Sequence, residues 1–268
     1  MSNTRCGGTS RQDSTVTCAP TLVFLHGVGL SRRLWRPQLT ALADFRCLTP
    51  DLPEHGENRA AAPFTLDGAA RDVAALIRAR ATGGRAHVVG LSLGGAVALT
   101  LLRLVPDVVQ SVLVSGVAAP LPWPVRGVAR LAAGAVTLMP RGLLTTAATV
   151  PVRLPWGPYA VPASERAAIC GDLRRSFTPA FLHHVALALT DLEVPAAASA
   201  PVLVLVGGRE LWGSRAAARY VVGRIEGACG GVVPGVGHLW NLQAPDLFAG
   251  ILRAWASEDA LPALVQPL

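Results

Sequence analysis

Short unbroken apolar runs alternate along this chain with longer stretches of helical spacing. Leu22-Val-Phe-Leu25, Arg46-Cys-Leu-Thr49, His87-Val-Val89, Ser111-Val-Leu-Val114 and Val202-Leu-Val-Leu-Val206 read as buried strands. Between them, Leu34–Phe45, Leu66–Thr82, Gly94–Val105 and Ser214–Ile225 read as helices. A weak strand near Val232-Val233 precedes a last helix over Ala244–Ala256. Strand and helix in alternation predict an α/β fold, a mostly parallel central sheet with helices on both faces.

One region interrupts the alternation. From about Ala119 to Ala200 no convincing strand appears, only helical pieces punctuated by eight prolines between Pro120 and Pro162. Thr178-Pro179 supplies an N-cap and a first helical residue for a helix running to about Asp191. Because strand character resumes at Val202, the stretch predicts a helical lid inserted between two strands of one sheet. The expected division is a core of residues 1–118 and 201–268 with a lid at 119–200.

Composition narrows the classes. The 268 residues are 51% hydrophobic and 15% charged, which excludes a disordered chain. The uncharged stretch Ala86–Leu102 carries His87, Ser92 and several glycines, and is shorter than the roughly 20 apolar residues a spanning helix needs. No integral membrane association is expected. The net charge is +7, and all 24 basic residues are arginine. They are scattered rather than gathered in a stripe or tail, so no nucleic-acid partner is expected. Five cysteines (Cys6, Cys18, Cys47, Cys170, Cys229) without C-x-x-C spacing predict reduced thiols, hence a cytoplasmic location. Met1–Pro20 has no apolar core of a signal peptide.

Chemistry concentrates at Gly90-Leu-Ser92-Leu-Gly94. This G-x-S-x-G run directly follows the strand His87–Val89 and opens a helix, the setting in which a serine is presented on a sharp turn as a nucleophile. The plain alternative is a glycine-rich turn. A serine hydroxyl needs a base, and six histidines are available. His238, in Val-Pro-Gly-Val-Gly-His238-Leu-Trp-Asn241, sits on a loop after the last strand, from which an imidazole can reach the top of the sheet. His183 and His184 fall in an apolar helical run and read as lid or core residues. An orienting acid is expected at Glu210, just beyond the strand Val202–Val206. Its alternative is a surface partner of Arg209 or Arg215. Ser92, Glu210 and His238 then follow in the chain order that such a turn requires.

These segments together resemble the α/β-hydrolase superfamily. The likeness rests on Leu22-Val-Phe-Leu-His26-Gly27-Val28-Gly29, Asp51-Leu-Pro-Glu-His55-Gly56, the Ser92 turn, Gly207-Gly-Arg-Glu210 and Gly237-His238-Leu-Trp-Asn-Leu-Gln-Ala-Pro245. It spans about residues 21–256. The resemblance implies an oxyanion hole from the backbone N–H groups of Val28 and Leu93. Three positions depart from the family pattern: the acid is Glu210 rather than Asp, Glu54 replaces a glycine, and Asn58 replaces a serine. The stretch before Thr21 is also short and polar for the hairpin that commonly opens the fold.

The resulting expectation is a serine hydrolase of a hydrophobic ester or lactone, with no cofactor and no metal. C–C bond cleavage, intramolecular acyl transfer or cyclisation, and a low-turnover ligand receptor remain open on the same fold. Trp123 and Trp156 in the insertion, with His26 and Trp240 beside the two loops, are candidate substrate contacts. Arg126, Arg130, Arg141 and Arg153 either meet a substrate carboxylate or solvate outer helix faces. A dinucleotide site at Gly27-Val-Gly29 fails for want of the third glycine, since position 32 is Arg32. No zinc-ligand spacing appears.

Overall fold

The computed structural model describes residues 19–60, 62–257 and 264–268. Cys6, Cys18 and the expectation for the first twenty residues fall, up to position 18, outside them. Seven strands form one sheet: β1 (Thr21–Leu25), β2 (Arg46–Leu48), β3 (Ala86–Leu91), β4 (Val109–Ser115), β5 (Val202–Gly207), β6 (Cys229–Val233) and β7 (Gln266–Pro267). Their order is β2-β1-β3-β4-β5-β6-β7. Every pair is parallel except the antiparallel β6–β7 edge.

Alternation along the strands divides the core in two. Val23, Leu25, Val88, Val112 and Val204 face one side, where they meet α2 (Leu66–Arg80), α3 (Leu93–Leu104) and α8 (Trp212–Arg224). Leu22, Phe24, Val89, Leu113 and Leu205 face the other, against α1 (Arg36–Ala41) and α10 (Pro245–Ala256) with Trp35, Phe248 and Ile251. Both faces are covered, which is why these strands read as continuous apolar runs.

Four helices connect β4 to β5: α4 (Trp123–Val136), α5 (Arg141–Arg153), α6 (Ala163–Ser176) and α7 (Pro179–Thr190). As expected, the Thr178 hydroxyl caps α7 by accepting the Phe181 N–H at 3.2 Å. Helix α6 adds Ile169 and Leu173 to one half of the core and α7 adds Phe181 and Val185 to the other. The helix expected from Leu34 instead starts as a 3-10 turn, Arg32–Trp35, and is α-helical only over Arg36–Ala41. Pro37 has no N–H to give to the preceding turn. The short α9 (Trp240–Gln243) and β7 carry too few residues for a period to show in sequence. Among the described residues no helix is long and apolar enough to cross a membrane.

His26 belongs to this core and not to a substrate surface, which corrects the expectation for it. Its ring is fully buried and accepts the Leu52 N–H at 3.1 Å. It lies 4.8 Å from the ring of His55, which is also buried. Burial pushes both imidazoles down, His55 to about 3, with the neighbouring His26 contributing. In the unfolded chain both bind a proton near pH 6.5, so the unfolded state takes up more protons below that value. For His55 the resulting contribution to stability is complete above about pH 6.5 and is lost as the pH falls from there toward 3, by about 1.4 kcal/mol per unit, and the buried His26 acts in the same direction. The melting temperature therefore drops between pH 6.5 and 5, above the range where carboxylates titrate. His55→Gln flattens that slope, and an unchanged slope in the variant refutes the assignment.

Candidate active site

Strand β3 ends at Leu91 and α3 begins at Leu93, leaving Ser92 alone at the turn with φ 54° and ψ −113°. A non-glycine residue there is strained by about 1–3 kcal/mol. Its neighbours hold it: the Ser92 N–H donates to Ser115 O at 2.8 Å, and Ser92 O accepts from Gly95 N at 2.9 Å. Gly94 has to lack a side chain, because a Cβ there would collide with the Leu25 carbonyl on β1. The side chain of Ser92 caps nothing. It is free for chemistry.

His238 lies on the loop between β6 and α9. Its backbone N–H donates to Pro158 O at 2.6 Å, a contact from the stretch between α5 and α6. Its Nδ1 is 2.8 Å from Oε2 of Glu210, whose other oxygen accepts the Gly207 N–H at 2.9 Å. The Glu210 side chain is 1% exposed. Burial alone would raise this carboxyl. The hydrogen bond and charge of His238, with the Gly207 N–H and Ser214, outweigh it and hold Glu210 below its ordinary value. A carboxylate at Nδ1 fixes the proton there and leaves Nε2 as the acceptor. The pair rests on Gly116, at φ +62°, where a Cβ would come within 2.6 Å of the His238 ring. The extra methylene of Glu210 is taken up by folding back onto the end of β5.

Two cavities open on either side of Ser92. The smaller, about 240 Å³, runs beneath α5 and α6 between Leu30, Ala148, Val152, Ile169, Leu173 and Phe177. The larger, about 660 Å³, opens toward α8 past Val117, Pro122, Leu211 and Tyr220. Val28, Ser92, Tyr159 and His238 line both, and Leu93 lines the larger. The Leu93 N–H, first in its helix, has no intrahelical acceptor. No Asp, Glu or Arg among the described residues lines either cavity.

Other expected contacts lie elsewhere. Trp240 is fully buried against Phe248 and donates from Nε1 to Ser115 Oγ at 2.8 Å, so it supports the site from below and meets no ligand. Trp123 and Trp156 line neither cavity and are 82% and 69% exposed. Arg126, Arg130, Arg141 and Arg153 also line neither cavity. Arg130 pairs with Asp191, while Arg126 and Arg141 donate to backbone carbonyls. His183 and His184 bond Ala133 O and Glu54, at 2.9 and 3.0 Å. Sequence reasoning missed Tyr159, whose ring stands edge-on to that of His238 at 5.2 Å between centroids. A lone tyrosine between prolines carries no periodic signal. Only the scarcity of the residue, with two in the chain, could have drawn notice.

A family model described as "Alpha/beta hydrolase family" matches residues 22–251. Among solved structures, a hydrolase from Pseudomonas aeruginosa PA01 is similar at a TM-score of 0.72 and 25% identity, over 89% of this chain and 90% of that one. Among curated proteins, an AB hydrolase superfamily protein of Gibberella zeae is 40% identical over 97 residues, 35% of this chain and 34% of that protein. 3-Oxoadipate enol-lactonase 1 of Acinetobacter baylyi is 33% identical over 101 residues, 35% of this chain and 38% of that protein. The chain thus spans about a third of the length of these curated relatives.

Proposed function

The chain belongs to the alpha/beta hydrolase family, and from that premise we propose that it is a serine hydrolase of neutral, apolar carboxylic esters or lactones. The observation that carries this reading is the 2.8 Å contact between His238 Nδ1 and a buried, ionised Glu210, at the wall of a cavity that Ser92 also lines.

Ser92 Oγ attacks the acyl carbon and passes its proton to His238 Nε2, while Glu210 stabilises the imidazolium that results. The Val28 and Leu93 N–H groups hold the oxyanion. Collapse of the tetrahedral intermediate breaks the bond to the leaving oxygen, which takes the proton from His238. Water then gives a proton to His238 and adds to the acyl-enzyme, and the mirror sequence frees the acid and Ser92. The helices between β4 and β5 act as a lid that keeps bulk water from the acyl group.

The shape of the site supports the substrate class. An apolar acyl arm fills the small cavity beneath α5 and α6, and the leaving alcohol occupies the wider one toward α8. A lactone straddles both. The absence of charged side chains from the described walls favours neutral substrates, since a carboxylate would be desolvated there without a partner. The resemblance to a protein named as an enol-lactonase supports the lactone bond as a target, not the neutrality of the substrate.

A series of p-nitrophenyl esters tests it. kcat/KM rises by about fourfold per added methylene, the worth of a buried CH₂, until the small cavity is full. Ala148→Phe, which narrows that cavity, moves the optimum to a shorter chain. Equal rates on a butyrate and a succinate half-ester, or no response to acyl length, refute the assignment of the arms.

A further inference from the structure

Helix α4 packs against α7, where Ala133 is buried and its carbonyl meets His183, and turns its opposite face to solvent. That outward face holds Pro124, Gly127, Val128, Leu131, Ala132 and Ala135. A helix on the surface of a globular domain ordinarily carries polar residues there. Leu131 is instead 78% exposed and Val128 68%, Trp123 opens the helix at 82%, and Leu138 just beyond its end is 85% exposed. Met139 follows, also exposed. Large apolar side chains grouped in this way mark a surface that meets a partner.

The surrounding charge identifies the partner. Residues 108–164 contain no Asp or Glu but include Arg126, Arg130, Arg141 and Arg153. Arg130 is matched by Asp191. Arg126, Arg141 and Arg153 have no carboxylate partner among the described residues, and the last two are exposed. A symmetric dimer through α4 and Leu138–Met139 would set the same patch on both copies and bring Arg141, two residues beyond Met139, toward its counterpart. An anionic surface attracts such a cation. An apolar helix face with tryptophan at its start and an exposed arginine just beyond its end suits a helix that lies in a lipid headgroup layer.

We propose that the outward face of α4, continued by Leu138 and Met139, docks this protein on anionic phospholipid surfaces. The docking does not depend on the chemistry assigned to Ser92.

Flotation with vesicles tests it. The full chain floats with vesicles of mixed phosphatidylglycerol and phosphatidylcholine and does not float with phosphatidylcholine alone. High salt weakens the association by at least about tenfold, as expected for an attraction carried partly by arginine. The double variant Val128→Glu/Leu131→Glu stays in the aqueous fraction. Its circular dichroism and melting temperature match the wild type, because both side chains are already in water. Arg141→Gln weakens binding to the anionic vesicles. The proposal is overturned if the wild type does not float, or if the glutamate variant floats equally well. It is also overturned if light scattering finds a wild-type dimer that the glutamate variant dissociates while neither protein binds vesicles. The face then belongs to a second copy of the chain.

Discussion

Ser92→Ala leaves a folded protein that no longer reacts with a fluorophosphonate. The wild type gains one phosphonyl adduct in the intact mass, with the label on Ser92, and the variant gains none. Turnover of any ester that the wild type cleaves falls by about 10⁶, the scale at which removing a serine nucleophile disables a triad. The fold tolerates the change because the Ser92 side chain caps nothing, and the bonds that hold the turn run through its backbone. Alanine is about as strained as serine at φ 54°, so the melting temperature moves little. Persistent labelling of the variant would place the nucleophile elsewhere.

Glu210→Gln lowers kcat by about 10⁴, the loss seen when a triad acid is neutralised without a change of shape. The amide still fills the space between the Gly207 N–H and His238, but it brings no charge to stabilise an imidazolium. With its NH₂ toward the ring it selects the tautomer that cannot accept the Ser92 proton. Glu210→Asp separates the two tasks of the carboxylate. The present side chain bridges Gly207 N and His238 Nδ1 with its two oxygens, at 2.9 and 2.8 Å. A chain shorter by one methylene keeps the charge and gives up one contact, so activity is intermediate. Steady-state kinetics on a single ester ranks the three proteins. If Glu210→Gln matches the wild type, the acid role is refuted.

Much of this arrangement is readable in the chain because strong local rules coincide. The buried parallel strands announce themselves as apolar runs, and the Ser92 turn needs its glycines for steric reasons that leave a fixed spacing. Glu210 is legible as the first carboxylate beyond β5. What the sequence does not carry is direction. His26 and Trp240 stand next to residues of the site, yet both rings point into the core, one bonded to Leu52 N–H and the other to Ser115. Trp123 and Trp156 look like pocket residues by type, yet the first opens α4 and the second lies in the bend after α5, and both face outward. Glu54 shows the same limit over a longer range. It stands at φ 61° where the family pattern has glycine. Its carboxylate accepts the Phe64 N–H at 2.7 Å and meets His184 at 3.0 Å. No local rule could name a partner 130 positions along the chain.

The bond from His238 N–H to the Pro158 carbonyl sets a boundary for anyone who would re-engineer specificity by grafting. The helices between β4 and β5 look like a cassette to be exchanged between relatives, since both ends return to one sheet. The cassette nevertheless contains the tether of the proposed general base. Pro158 fixes the backbone of His238, its carbonyl lies where a Cβ on Gly237 would clash, and Tyr159 backs the imidazole. A donor segment that replaces residues 123–153 leaves the His238 tether in place and alters the smaller cavity, the proposed acyl arm. One that runs on through 157–159 has to return a carbonyl to the same point, or the chimaera inherits a new pocket and loses the histidine that serves it.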